Sequence, residues 1–420
     1  MTDDAHVTDD GVVILVGSGQ QAYREYLLAG AARRRPIWIL DAAEPTWQTQ
    51  YVIGSTTVEL LDRERLVPDQ EALIAAAEAV AAEHRVVGVF SYDETLVVTT
   101  ALIAERLGLP GLTPRGADNC RNKHNTRQLL TAAGLPQPHF AYVTDAGEAL
   151  AAADSFGYPV VLKPRGMGAS IGVIRVDGPE AVRAAFEVAD TASHGGNSAY
   201  EGGVLVEECV MGPEISIDGA VFDGSWTPLF LAHKEVGLEP YFEETGHMVS
   251  ATDPLLADEE LLGVLREAHR ALGIGYGITH TEVKLTSRGP VIIEVNARLG
   301  GDLIPYLGSL ATGIEPGEVA VEVATGGRPA WTPARARTVG IRFLYPHRNG
   351  TVRSVDVPSL PDSPGLLEAN VMVRPGTSLL LPPEGYLSRY ANVICAGDSP
   401  LSCEESLAKA TALTTIVLDS

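Results

Sequence analysis

The stretch HTEVKLTSRGPVIIEVNARLGGD, residues 280–302, concentrates oxygen ligands at strand spacing. In HTEVKLT a period of two puts His280, Glu282 and Lys284 on one face, with Val283 and Leu285 on the other. SRGP reads as a turn. In IIEVNAR the same period puts Glu294, Asn296 and Arg298 together, with Ile293, Val295 and Ala297 behind them. A turn centred on Arg288 sets Glu282 directly against Glu294. Opposed carboxylates repel unless a positive group lies between them. Two glutamates and an amide oxygen are hard ligands that suit Mg²⁺ or Mn²⁺, with phosphate oxygens and water completing the shell. The competing reading is a solvated polar face whose repulsion Lys284 and Arg298 offset.

A second stretch, VVLKPRGMGASIGVIRV at 160–176, sets a glycine-rich loop between two strand-like runs. Gly166, Gly168 and Gly172 flank the small residues Ala169 and Ser170, so backbone amides there can approach an anion closely. A Walker A loop puts its lysine after the last glycine and opens a helix. Here Lys163 precedes the loop and a strand, GVIRV, follows it, so a hairpin with a mobile tip is expected. Lys163 ends the apolar run PVVLK, where an enclosed ammonium needs a partner such as phosphate. Lys123, in RNKHNTR, offers a second cation. A ligand-free glycine turn with solvated lysines is the alternative. Downstream, VLVEECVMGPEISID reads as two strands broken at Met211–Pro213, with Glu214, Ser216 and Asp218 on one face of the second.

The elements that position these residues follow from periodicity. Buried strands at VVILVGSG, PIWIL and VVGVFSYD alternate with helices at AYREYLLAGAAR, EALIAAAEAVAAEH and TLVVTTALIAERLG. That alternation implies a parallel sheet covered on both faces, a Rossmann-like domain over residues 11–115. A helix at RNKHNTRQLLTAAG follows, and from Tyr158 shorter alternating strands indicate an antiparallel, hairpin-rich region. TVGIRFL and ANVICA carry strand signals in the last ninety or so residues. The GSG at 17–19 and Asp41 at the end of the next strand keep a dinucleotide reading open, although Ala22 stands where GxGxxG needs its third glycine.

The chain has 420 residues and a formal charge of -23, with 45% hydrophobic and 20% charged residues. That composition is globular, and its charge argues against nucleic acid or an anionic membrane as partner. A polyanionic ligand must therefore be met by local cations or a metal. The cysteines, Cys120, Cys209, Cys395 and Cys403, form no CxxC pair, which fits buried thiols in a reducing compartment. The acidic start MTDDAHVTDD lacks the basic flank and apolar core of a signal peptide, and no apolar run is long enough to span a bilayer, so a cytoplasmic location is expected. No GxSxG elbow or zinc-ligand cluster is present.

A strand lysine before a glycine-loop hairpin, an acidic segment about forty residues on and a late carboxylate hairpin together resemble the ATP-grasp family, from Asn119 to Tyr306. AHKEVGLEPYFEETGHMVSA, from Ala232, is similar to the substrate-pocket stretch of the L-amino acid ligases within it. The resemblance implies an α/β and α+β architecture: an acidic tail at 1–10, a pre-ATP-grasp domain at 11–115, an ATP-grasp domain at 116–325 with a lid at about 158–212, and a C-terminal α/β region at 326–420 that caps the site. It implies that ATP is bound with Mg²⁺ or Mn²⁺. Lys123 and Lys163 would hold phosphates, with Gly166, Gly168, Ser170 and Gly172 closing over them. Glu207, Glu208 and Val210 would form the adenine hinge, and Glu214 would meet the ribose. Glu282, Glu294 and Asn296 would carry the metal, Arg298 would stabilise an acyl phosphate, and His233, Lys234, His247 and His280 would face the substrates. The implied reaction joins a carboxylic acid to an amine or amino acid, with release of ADP and phosphate, in a homodimer. A carboxylase or purine-biosynthetic ligase is the alternative within the family; an NAD(P)-dependent oxidoreductase built on GSG and Asp41 is the alternative outside it.

Overall fold

The computed structural model describes residues 11–62, 67–360 and 363–419; the expected acidic tail at 1–10 lies outside them. The first sheet contains β1 (Val12–Val16), β2 (Ile37–Asp41), β3 (Gly54–Thr57) and β4 (Val86–Phe90), all parallel in the order β3-β2-β1-β4. Every residue of β1 is buried, as an apolar run covered on both faces requires. Helices α1 (Gln21–Arg34), α2 (Gln70–Glu83) and α3 (Val97–Leu107) supply that cover. One face packs on Leu73, Val80 and Ile103. On the other, Val13, Leu15, Leu27 and Ile37 run into a core that includes Phe230, Leu307 and Val321, so this domain is fused to the rest of the molecule.

Helices α4 (Pro114–Arg121) and α5 (Lys123–Ala132) lead into a small antiparallel unit. It holds β5 (Phe140–Val143), α6 (Ala146–Phe156), β6 (Val160–Pro164), β7 (Ile174–Val176), α7 (Pro179–His194) and β8 (Val204–Glu208), with strand order β5-β8-β6-β7. Its core joins Val143, Ala149 and Ala153 to Leu162, Phe186 and Val206. The unit therefore begins at Phe140, not at the expected 158, because β5 and α6 contribute to the same core.

The largest sheet has eight strands in the order β13-β12-β9-β10-β11-β14-β18-β16. They are β9 (Glu214–Phe222), β10 (Ser225–Gly237), β11 (Glu243–Ser250), β12 (Gly277–Thr286), β13 (Gly289–Asn296), β14 (Thr338–Leu344), β16 (Leu366–Val371) and β18 (Ala391–Gly397). Helix α8 (Glu259–Ala271) covers one face; α9 (Ile304–Thr312) and α10 (Pro316–Ala324) lie between the other face and the first domain. A methyl added at Gly308 of α9 would come within 2.4 Å of the Phe230 ring, so close helix-sheet approach needs glycine there. Three strands of the C-terminal region extend this sheet; β15 (Gly350–Asp356), β17 (Ser378–Leu379) and β19 (Thr415–Asp419) form a separate three-stranded sheet beside α11 (Pro400–Ala412). Among the described residues no helix is long and apolar enough to cross a membrane.

Candidate active site

A cavity of about 210 Å³ lies between the small antiparallel unit and the eight-stranded sheet. Glu282 of β12 opposes Glu294 of β13 and His280 opposes Asn296, as expected, but a β-bulge between Glu282 and Val283 shifts the pairing nearer the turn, where Val283 meets Ile292 and Lys284 meets Val291. Ile293, expected behind the hairpin, therefore lines the cavity, and Ile292 takes its place in the core. On the other side of β12, Glu282 faces Ser216, His280 faces Asp218 and Lys284 faces Glu214. Lys234 of β10 lies opposite Glu214 on one side and His247 on the other. Four adjacent strands thus bring their polar faces to one floor, while Ile215, Ile217, Val283 and Val295 fill the core beneath.

The carboxylates on this floor are met by ammonium groups. Lys234 Nζ lies 2.9 Å from Glu214, 3.0 Å from Glu244 and 3.1 Å from Glu282. Burial disfavours its charge, but the three carboxylates outweigh burial and raise its pKa well above the usual lysine value. Lys284 lies 2.9 Å from Glu214. Burial likewise works against the Glu282 carboxylate, and Lys234 and His280 more than offset it, holding its pKa far down. His280 Nδ1 is 2.9 Å from Asp218 Oδ1; burial opposes the charged ring, yet Asp218 and Glu282 lift its pKa to about 9.

The opposite wall carries the two expected phosphate lysines. Lys163, on β6, lies 2.7 Å from the buried Glu207 of β8. Arg127 of α5 clasps the same carboxylate, with Nε donating at 2.7 Å and Nη2 at 3.1 Å. Arg127 also donates to the Ile293 carbonyl at 2.6 Å, tying this wall to β13. Glu207 therefore works through its side chain as the counter-charge of Lys163. Lys123, at the start of α5, donates to the Met167 carbonyl at 2.6 Å and lies 3.2 Å from Glu294. It bridges the glycine loop and the carboxylate hairpin.

Within that loop Gly168, Ala169 and Ser170 line the cavity, with Ala169 and Ser170 held at φ 55° in the left-handed region. Such strain in non-glycine residues concentrates at functional loops. Gly166 and Gly172 do not line it: Gly166 packs against the Tyr200 ring, and Gly172 against Ala192 and Pro164. Glu208, Cys209, Val210 and Glu214 line one end of the cavity. Arg298 lies at the far end of β13, with Nε 2.6 Å from Glu94 of the first domain.

Two expected substrate residues stand elsewhere. His233 points to the other face of β10, because it neighbours Lys234 in a strand of period two, and its Nε2 lies 2.8 Å from Asp253 near solvent. His247 is buried behind the cavity wall, with Nε2 3.0 Å from Glu244 and 3.5 Å from Asp302 but aligned on neither. Glu244, His247 and Asp302 present ligand atoms within 4.8 Å of one another. Arg389 and Lys234 already supply cations there: Arg389 grips Asp302 through two 2.7 Å hydrogen bonds.

Sequence reasoning missed Glu94, Arg127, Glu244, Asp302 and Arg389. Glu244 and Asp302 lay inside the stretches already singled out, and their carboxylates were the available signal. Arg389 comes from the C-terminal region, where no local pattern marks it.

The hairpin carboxylates and Asn296 fit a divalent cation: they are directly opposed, oxygen-bearing and lie in a cavity beside Lys123 and Lys163. An NAD(P) site on the first domain fits less well, since the Ser18 amide and hydroxyl and Gln48 occupy Asp41 and the GSG turn with one another.

Comparison with known proteins agrees. Family models match over 58–111 (ATP-grasp N-terminal domain), 156–306 (ATP-grasp domain) and 342–419 (L-amino acid ligase C-terminal domain 2). The chain is 30% identical to a phosphoribosylamine–glycine ligase of Caulobacter vibrioides over 76% of this chain and 75% of that protein. It is 26% identical to the alanine–anticapsin ligase of Bacillus subtilis strain 168 over 74% and 72%. The crystal structure of an L-amino acid ligase from Bacillus licheniformis superposes with a TM-score of 0.78 at 23% identity, covering 97% of this chain and 99% of that one. With the carboxylate hairpin, the paired lysines and these matches in view, the chain belongs to the ATP-grasp family and is a carbon–nitrogen ligase of that family.

Proposed function

We propose that the protein joins a small carboxylic acid to the amine of an amino acid in an ATP-dependent reaction through an acyl phosphate. The observation that carries this reading is the Glu282/Glu294 pair, with Asn296 beside it, facing Lys123, Lys163 and Arg298 across one cavity. Adenine is assigned to the end lined by Glu208, Cys209 and Val210, and the ribose to Glu214. Lys123 and Lys163 hold the phosphates, and Gly168 to Ser170 close over them. A Mg²⁺ or Mn²⁺ held by Glu282, Glu294 and Asn296 neutralises phosphate charge when bound.

In this reading the substrate carboxylate attacks the γ-phosphorus, the bond to the ADP oxygen breaks, and Arg298 steadies the negative charge on the new acyl phosphate. The substrate amine then adds to the acyl carbon, phosphate leaves with the bonding pair, and the amine gives up a proton to form the amide. The loop and the enclosing walls keep water from the acyl phosphate in the interval. Lys234 holds Glu282 and Glu244 in place on the floor.

The test is to incubate the protein with ATP, Mg²⁺ and pools of amino acids, carboxylic acids and amines, recording phosphate release beside product masses. Phosphate with a new amide mass is expected. ATP turnover that depends on bicarbonate and yields no amide would favour the carboxylase alternative, and a protein that binds no ATP would refute the assignment. A homodimer located in the cytoplasm belongs to the same reading, with light scattering and cell fractionation as its checks.

A further inference from the structure

Each cation lining the cavity has a carboxylate partner: Lys123 has Glu294, Lys163 has Glu207, Lys234 and Lys284 share Glu214, Arg298 has Glu94 and Arg389 has Asp302. Arg24, in the first turn of α1, is different. It is partly buried and has no carboxylate at ion-pair distance among the described residues; its hydrogen bond is a 3.3 Å donation from Nη2 to the Tyr92 carbonyl. The nearby Asp93 carboxylate is engaged by the amide and hydroxyl of Thr95. Burial, with the Arg298 charge adding to it, lowers the Arg24 pKa, and Tyr26, Asp93 and Tyr92 offset this only in part.

The surroundings of Arg24 belong to the site. Tyr23, on the same turn, reaches Arg389 and feels Asp302, and Tyr26 packs its ring 5.0 Å from that of Tyr306. The Arg24 guanidinium lies 5.9 Å from the centre of the Tyr92 ring. The Tyr92 hydroxyl is buried with no hydrogen-bond partner, which costs free energy unless a ligand supplies one. Tyr92 and Arg298 both line a second, small and mainly apolar pocket between the first domain and the large sheet, and Arg298 lines the main cavity as well.

Lys123 and Lys163 are assigned to the phosphates and Arg298 to the reacting carboxyl; Arg24 lines neither cavity itself but adjoins Tyr92, which lines the second, and its charge acts on Arg298. Without an ion-pair partner of its own among the described residues, it is free for an anion that the reaction does not transfer. We propose that Arg24, with the Tyr92 hydroxyl beside it, binds the free carboxylate of the amine-bearing substrate, so that the first domain selects amino acids over simple amines and amino acid amides. This inference rests on the ligase reading and adds a specificity-determining residue to it.

The test compares acceptors within each protein, so incomplete folding of a variant cancels. The twenty proteinogenic amino acids, as free acids or as α-carboxamides, are supplied as acceptors to the parent, Arg24→Met and Arg24→Lys with saturating ATP, Mg²⁺ and donor acid; kcat/KM is taken for the acid and amide of the best acceptor. The parent should prefer the acid, and Arg24→Met should lose that preference by at least about 30-fold, through KM more than kcat, as expected when one side of an enclosed charge pair is removed. Arg24→Lys, which keeps the charge, should retain part of the preference. An acid-to-amide ratio in Arg24→Met equal to that of the parent would overturn the proposal while leaving the ligase reading intact; no amide from any pair with the parent protein would overturn both.

Discussion

Glu207→Gln removes the negative charge on which two buried cations depend. The Glu207 side chain is almost wholly enclosed, with Arg127 at 2.7 Å and 3.1 Å and Lys163 at 2.7 Å. Burial alone would raise its pKa; Arg127 and Lys163 reverse this and bring it to about 2, from an ordinary 4.5. At about 1.4 kcal/mol per pKa unit, that drop corresponds to roughly 3 kcal/mol of stability. Loss of one partner from a buried ion pair independently costs about 3–5 kcal/mol. Because the folded pKa is depressed, the contribution is complete above about 4.5 and disappears only as pH falls through about 2, so pH 7 exposes all of it. Equilibrium urea unfolding followed by circular dichroism should show the variant about 3 kcal/mol less stable at pH 7. ATP affinity should also fall more steeply toward alkaline pH than in the parent, since burial already pulls the Lys163 pKa down and Glu207 is what opposes it. A variant within about 0.5 kcal/mol of the parent, with parallel pH profiles for ATP, would refute the argument that Glu207 holds Lys163 charged.

Glu294→Gln removes one of the opposed hairpin carboxylates and the counter-charge of Lys123; ATP-dependent phosphate release should fall by at least about 100-fold and the Mg²⁺ requirement should rise, with the circular dichroism spectrum unchanged. His269 is buried between Trp226 and Thr279, and burial lowers its pKa to about 4. The unfolded chain takes up this proton near pH 6.5 and the native state does not until about 4, so acidification across that window should cost up to about 3 kcal/mol, a slope that His269→Asn should lack in urea titrations. Gly308→Ala, which drives a methyl to 2.4 Å from Phe230, should destabilise the protein by about 1–3 kcal/mol, read as a lowered thermal midpoint.

The parts of this molecule legible in the sequence were those with short-range periodicity. β1 declared itself by five consecutive buried aliphatics, and the carboxylate hairpin by two runs of period two around a turn. The Glu282–Glu294 pairing itself depends on a β-bulge between Glu282 and Val283 that no local pattern announces, since the two-residue turn alone would set Glu282 against Ile293. Period two also contained the answer for His233: taking it together with its neighbour Lys234 as substrate residues ignored that adjacent strand residues face opposite ways.

What escaped was set by contacts between distant segments. Nothing near Glu207 announces that Arg127, eighty positions earlier, claims its carboxylate, so a residue expected at the adenine hinge for its backbone carries an electrostatic support in its side chain. Arg389 reaches Asp302 from 87 residues away because β14 and β18 add to the sheet that carries the floor; a C-terminal region expected as a cap becomes part of the wall. Arg24 combines both cases. Its helix was evident, yet the absence of a carboxylate partner becomes visible only when Tyr92, Arg298 and Asp93 are assembled around it. A partly buried cation that the fold leaves without an ion-pair partner indicates, in this reading, the charge of the missing substrate group, information that resides in the assembled cleft and in no local segment of the chain.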